Sequence, residues 1–174
     1  MDTKEMPKML KKLIVAGLVS FTLLAIIIAG CASTSGNSAK SYAIKEEVAV
    51  GRSMWKVLAV EKMKQTDSGA KANGEFVFVQ LQVKNTSSES TNLTGIEMEL
   101  FDGDSNAYEY DTQLNNTFLG SMGKDTLVKG KIDAGETVSG WIAFDIPATA
   151  KDVNLRVRDL DITSTKSALI DLGI

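Results

Sequence analysis

The feature that most constrains this chain is an alternation of apolar and polar residues, with a period of two, that begins near Tyr42 and continues to the C-terminus. In "EFVFVQLQVKN", Val77, Val79, Leu81 and Val83 fall on one face, and Phe76, Phe78, Gln80, Gln82 and Lys84 fall on the other. "TVSGWIAFDIP" places Val138, Ile142, Phe144 and Ile146 opposite Trp141, Ala143 and Asp145. "DVNLRVRD" sets Val153, Leu155 and Val157 against Asn154, Arg156 and Arg158. Successive side chains of a strand point to opposite faces, so this pattern predicts half-buried strands. "SMWKVLAVEKM" and "GIEMELFD", the latter through Ile96, Met98 and Leu100, are further candidates. The stretches between them, "KNTSSESTN", "DGDSN" and "DAGE", are rich in turn formers, and Pro147 follows its strand, where a missing N–H does no harm. No amphipathic helix of three turns interrupts the series. Seven or eight strands in about 130 residues predict an all-β fold, a two-sheet antiparallel sandwich.

A different pattern precedes the domain. Residues 13–30, "LIVAGLVSFTLLAIIIAG", carry no charge, follow Lys8, Lys11 and Lys12, and are separated from the next charge at Lys40. This predicts an N-terminal hydrophobic signal or anchor helix, with everything after it outside the cytoplasm. The run ends in Ile28, Ala29, Gly30 and Cys31, which resembles the lipobox of bacterial lipoproteins. The resemblance implies that the Cys31 thiol is joined to diacylglycerol and the chain cut before it, since two acyl chains anchor stably where one is marginal. Residues 1–30 are then a lipoprotein signal peptide, 31–41 the lipidated cysteine and a flexible tether, and 42–174 the sandwich domain. The alternative is an uncut transmembrane helix. The tether Ala32–Lys40, "ASTSGNSAK", is small and polar, with an end-to-end distance of roughly 17 Å.

Composition narrows the chemistry. Cys31 is the only cysteine, so a lipidated chain has no free thiol and no disulfide, and its core alone must hold it. The leader through Cys31 holds four of the 19 basic residues and two of the 22 acidic ones, which leaves 15 against 20, or −5. A mildly acidic domain argues against nucleic acid as a partner. The absence of histidine removes histidine-based triads, histidine zinc sites and imidazole proton shuttles together.

The carboxylates give the remaining candidates. "DGDSNAYEYD" places Asp102, Asp104 and Asn106 at the first, third and fifth positions of a calcium-type loop, with Glu109 nearby as a further oxygen donor. Ala107 stands where that loop needs glycine, and Gln113 where it needs a bidentate carboxylate, so a plain hairpin tip is the competing reading. Glu97 and Glu99 alternate on one strand and read as a solvated face. Trp55, Trp141, Tyr108 and Tyr110 form either an aromatic platform for sugars or core and sheet surface. Asn85, Asn92 and Asn115 each begin an N-x-[ST] pattern. The glycine-rich segment Asn115–Lys131 carries Phe118, Leu119 and Met122, which read either as a partner contact or as a plug for the end of the core.

Three segments together resemble a family of bacterial lipoproteins whose domain has no assigned function: "FVFVQLQVKNTSSES", "MELFDGDSNAYEYD" and "IDAGETVSGWIAFDIPATAKDVNLRV". The family's domain is immunoglobulin-like, similar to a secreted mycobacterial immunoprotective antigen. The resemblance covers roughly Val48 to Ile174. This chain has Ala134 where the family usually has proline before Gly-Glu. It implies an immunoglobulin-like fold and an extracellular setting, and brings no catalytic residues. The function expected is therefore a non-enzymatic binding module of the cell envelope, without a cofactor. Its partners would be the bilayer through Cys31 and an envelope protein or polymer. The alternative is a calcium-responsive or carbohydrate-binding envelope protein.

Overall fold

The alternation over Phe76–Asn85 is realised in the longest of the described strands. The structure, a computed structural model, describes residues 40–66, 69–93, 98–111, 113–127 and 130–174. The predicted signal or anchor helix, Ile28, Ala29, Gly30 and Cys31, and tether residues 32–39 lie outside the described residues, as do Ile96 and Glu97. In chain order the described strands are β1 (Ser41–Ala43), β2 (Val48–Val50), β3 (Ser53–Gln65), β4 (Lys71–Asn85), β5 (Thr91–Asn92), β6 (Glu99–Phe101) and β7 (Ala107–Glu109). After a short helical segment, a π-type turn α1 (Leu114–Phe118) running into α2 (Leu119–Ser121), come β8 (Lys131–Ile132), β9 (Thr137–Ile146), β10 (Asn154–Arg158) and β11 (Ser167–Asp171). Among the described residues no helix is long and apolar enough to cross a membrane.

The strands form a β-sandwich. One sheet has the order β2-β3-β4-β9, the other β1-β11-β10-β6-β7, and β5 pairs with β8 in a small ribbon. The pairing is antiparallel except where β1 runs parallel to β11, so the second sheet is mixed rather than wholly antiparallel as expected. Val77, Val79, Leu81 and Val83 of β4 and Ile142, Phe144 and Ile146 of β9 meet Leu100, Leu155, Val157 and Ile170 of the other sheet in one buried cluster. Trp55 of β3 lies within it, fully buried, and donates its Nε1–H to Ser53 Oγ (2.8 Å) and to the Arg158 carbonyl (2.9 Å). A buried indole keeps its packing energy only if that donor is satisfied, and here it also ties the two sheets together.

The registers place the turns at two ends. Gly51–Arg52, residues 86–90, residues 133–136 and the β10–β11 loop lie at one end; the β3–β4 connection, the β6–β7 loop and the β9–β10 connection lie at the other. At the first end Asp159 Oδ1 accepts the Arg52 N–H (2.8 Å), and Gly51 (φ 55°) passes so close that a Cβ there would meet the Asp159 carboxylate at 1.7 Å. Burial alone would push the Asp159 carboxyl up. Hydrogen bonds from the Arg52 N–H, Ser164 and the Asp161 N–H, with the Arg52 charge, outweigh it and hold the carboxyl below its ordinary value of 3.8.

Candidate functional site

The outer face of β4 and β9 departs from the simple alternation. Phe76 and Phe78 are buried, as is Ala143, because α1 and α2 lie across them. Leu114 and Leu119 close this second cluster, with Phe118, Met122 and Trp141 packed at its margin. The segment is stitched to the free edge of β9. Asn115 donates its Nδ2–H to the Ala143 carbonyl (3.0 Å) and accepts the Ala143 N–H at its Oδ1 (3.2 Å), so one buried amide stands in for a neighbouring strand. Further along the same edge, Leu127 N–H donates to the Trp141 carbonyl (2.9 Å) and Trp141 N–H to the Asp125 carbonyl (2.8 Å). An exposed strand edge invites pairing with other chains, and this connection covers it.

Of Phe118, Leu119 and Met122, expected at a partner contact, Leu119 is corrected: it is 0% exposed and closes the second cluster, while Phe118 and Met122 are half-buried at its margin. Phe118 alone also reaches an open cleft. That cleft, about 330 Å³, lies between the helical segment and the β4 side of the sheet, lined by Ala70, Lys71, Phe76, Leu114 and Phe118 with Asn73, Gln113, Asp111 and Asp145. Its two carboxylates are held in place. Asp145 Oδ2 accepts the Asn73 N–H and Nδ2–H (both 2.8 Å) and Oδ1 accepts the Gly74 N–H (3.2 Å). Asp111 Oδ1 accepts the Leu114 N–H (2.8 Å) and so anchors the start of α1. The half-buried ring of Phe118 beside fixed carboxylates and one lysine suits a ligand with an apolar group and hydrogen-bond donors.

The β6–β7 loop holds the predicted calcium residues in a different arrangement. Asp102 Oδ1 accepts the N–H groups of Asp104 (3.0 Å) and Asn106 (2.8 Å); Oδ2 accepts Asn106 Nδ2–H (2.8 Å) and Tyr108 O–H (2.7 Å). Asn106 first, then Tyr108, hold the Asp102 carboxyl below its ordinary 3.8, against the opposing effect of burial. The same carboxylate raises the Tyr108 hydroxyl above its ordinary 10.0. Asp102 thus spends its lone pairs on its own turn, and Asn106 offers it a donor rather than an oxygen to a cation. Glu109 does not join them; it stands opposite Glu99 in the β6–β7 register. Glu99 itself pairs with Arg156 and with Arg158 (3.5 Å). The described residues contain no group of three or more His, Cys, Asp or Glu placed to hold a metal.

The aromatic platform does not assemble. Trp55 is core, Tyr108 and Tyr110 pack against the core, and Trp141 carries Lys124 Nζ 3.5 Å over its ring centroid. Of the N-x-[ST] asparagines, Asn115 is buried on β9. Asn85 is also buried, donating Nδ2–H to the Glu89 carbonyl (2.7 Å) and accepting from Ser87 at Oδ1. Only Asn92 is exposed.

The fold is that of a β-sandwich domain, with the cleft set beside the helical segment. The chain belongs to the family described as a domain of unknown function, DUF4352, whose model matches residues 42–168. Solved structures share the architecture. The yjhA protein from Bacillus subtilis is 15% identical, with a TM-score of 0.57 over 75% of this chain and 98% of its own. The secreted protein MPT63 from Mycobacterium tuberculosis is 16% identical, with a TM-score of 0.54 over 77% and 99%. A candidate lipoprotein from Bacillus subtilis, ycdA, is 18% identical, with a TM-score of 0.52 over 72% of this chain and 38% of its own. No curated protein matches the sequence.

Proposed function

We propose that this chain is a lipid-anchored, extracytoplasmic and non-enzymatic binding module: an immunoglobulin-like sandwich held to the membrane by Cys31, with the cleft beside α1 as its binding site. The cleft carries the reading. Its walls are the rigid strands β4 and β9, and its carboxylates Asp111 and Asp145 are fixed by backbone N–H groups rather than set against a nucleophile or a proton carrier. Such a site positions a ligand without transforming it. The apolar run and Ile28-Ala29-Gly30-Cys31 support the anchor, and a secreted neighbour and a candidate lipoprotein among similar folds accord with an external setting. The ligand class is an envelope polymer or protein segment that lays an apolar group on Phe118 and donates hydrogen bonds to Asp111.

Cross-linking on intact cells followed by mass spectrometry tests this. The expected result is a reproducible cross-link from Lys71, at the cleft rim, to one envelope component, weakened by Asp111→Asn with the fold intact. Turnover of an envelope substrate by the purified protein, abolished by Asp111→Asn or Asp145→Asn, would overturn the non-enzymatic reading.

A further inference from the structure

We infer that the corner of the sandwich formed by the β10–β11 loop rests on the lipid bilayer, with Ile162 in the interfacial layer; this builds on the lipid-anchor reading above. Ile162 is 77% exposed, and among the described large apolar residues only Ile44, at 40%, is also exposed. The loop that presents Ile162 is pinned on both sides. Asp161 Oδ1 accepts the Thr163 N–H (3.0 Å) and Oγ1–H (2.7 Å), and Ser164 N–H donates to the Asp161 carbonyl (2.9 Å). Arg52 pairs with Asp161 at 2.6 Å, and Thr91 Oγ1–H donates to the Leu160 carbonyl (3.0 Å). An isoleucine held out at a fixed tip stays exposed unless something outside the domain covers it.

The chain's own direction says what covers it. β1 runs parallel to β11 with Ser41 opposite Leu169, so β1 begins on the side of Ser167 and the β10–β11 loop. Ile44 follows β1 and so lies in the opposite direction. A tether of roughly 17 Å leaving from that side keeps the loop within reach of the membrane to which Cys31 is attached. Exposed Arg52 and Lys166 flank the tip, a combination that suits an anionic interface, with Arg52 partly offset by Asp161. The acidic turns at this end, with Glu89, Asp133 and Glu136, belong to connections of the other sheet and the small ribbon. The contact is accordingly at the β10–β11 corner and not over the whole end.

The test uses the full-length lipidated protein in vesicles of phosphatidylethanolamine and phosphatidylglycerol with brominated acyl chains. Tryptophan emission is read as the difference from wild type for Ile162→Trp and for Lys151→Trp on the β9–β10 connection at the other end. Blue-shifted emission quenched by the bromolipid for I162W, and unshifted, unquenched emission for K151W, is the expected result. Equal quenching of both, or of neither, with Cys31 shown by mass to carry diacylglycerol, overturns the proposal while the anchor stands. An unlipidated Cys31 in the same sample refutes the anchor and this placement with it. As a second readout, I162D should speed modification of Lys166 by a water-soluble amine reagent on vesicles and leave Lys151 unchanged; no change in Lys166 also counts against the contact.

Discussion

Gly140 of β9 is the position where the covering of the β9 edge is most exposed to test. A Cβ built there would lie 2.5 Å from Leu127 Cα and N and 2.7 Å from the Thr126 carbonyl carbon, all backbone, so no side-chain rotation relieves the clash. Gly140→Ala must therefore push the 125–127 segment off the strand. Two backbone hydrogen bonds go with it, Leu127 N–H to Trp141 O and Trp141 N–H to Asp125 O. Each contributes about 0.5–1.5 kcal/mol. Leu127, fully buried in the main core, is withdrawn with the segment, at about 1.5–3 kcal/mol. The sum is a destabilisation of about 2.5–6 kcal/mol. With a urea slope of about 2 kcal/mol/M for a domain of this size, the midpoint should fall by about 1.2–3 M. Urea unfolding followed by tryptophan fluorescence measures it, since Trp55 is fully buried. Gly120→Ala is the control: its Cβ meets nothing within 4 Å and it sits in α2, so the change should be neutral or slightly stabilising. A G140A midpoint within error of wild type would refute the close approach and the edge covering built on it.

Other perturbations separate the remaining assignments. Asn115→Ala leaves the Ala143 N–H without its acceptor, while the Ala143 carbonyl keeps the Asp111 N–H, and should cost about 1–3 kcal/mol by urea unfolding, with faster hydrogen exchange at Ala143. Leu119→Ala should lower stability by about 2–5 kcal/mol, as a core truncation does, and should leave cross-linking to partners unchanged at temperatures where the variant is folded. Asp102, Asp133, Asp159 and Asp161 all have folded-state values below the ordinary 3.8. A depressed carboxylate stabilises the fold above its unfolded value and loses that contribution as pH falls through the folded one. Melting temperature should thus be insensitive to these groups near neutrality and drop below about pH 4, with a shallower drop in Asp102→Asn. Millimolar calcium should leave the melting temperature unchanged, because both Asp102 oxygens are already engaged within the turn; a rise that Asp102→Asn abolishes would restore the calcium reading.

The long strands were legible because alternation needs length to show. β3, β4 and β9 run for 13, 15 and 10 residues, and the inward sets read from the sequence, from Val77 to Val83 and from Ile142 to Ile146, are the ones buried. β1, β2 and β5 to β8 have only two or three residues each, too few for a pattern, which is why the described strands outnumber the expected seven or eight. The parallel pairing of β1 with β11 joins distant segments and leaves no local trace. Phe76 and Phe78 looked solvent-facing because period two assigns one buried face, whereas here a helical segment covers part of the second. Leu114, Phe118, Leu119 and Met122 are spaced for one face of a short helix, a signal present in the sequence and obscured by Gly120 and Gly123 nearby. Asp102 shows the other limit. An alternating acidic loop serves a cation or its own N–H groups with the same residue types, and only the donors that reach its oxygens distinguish the two.

Anchoring through Cys31 underlies both the proposed setting and the membrane-facing corner, and mass spectrometry of the N-terminal peptide from the native protein reads it out. The account predicts a mature chain that begins at Cys31 with diacylglycerol on its sulfur and no residue before it. A peptide recovered intact across Gly30–Cys31, with a free thiol, would contradict it and leave the domain on an uncut apolar segment.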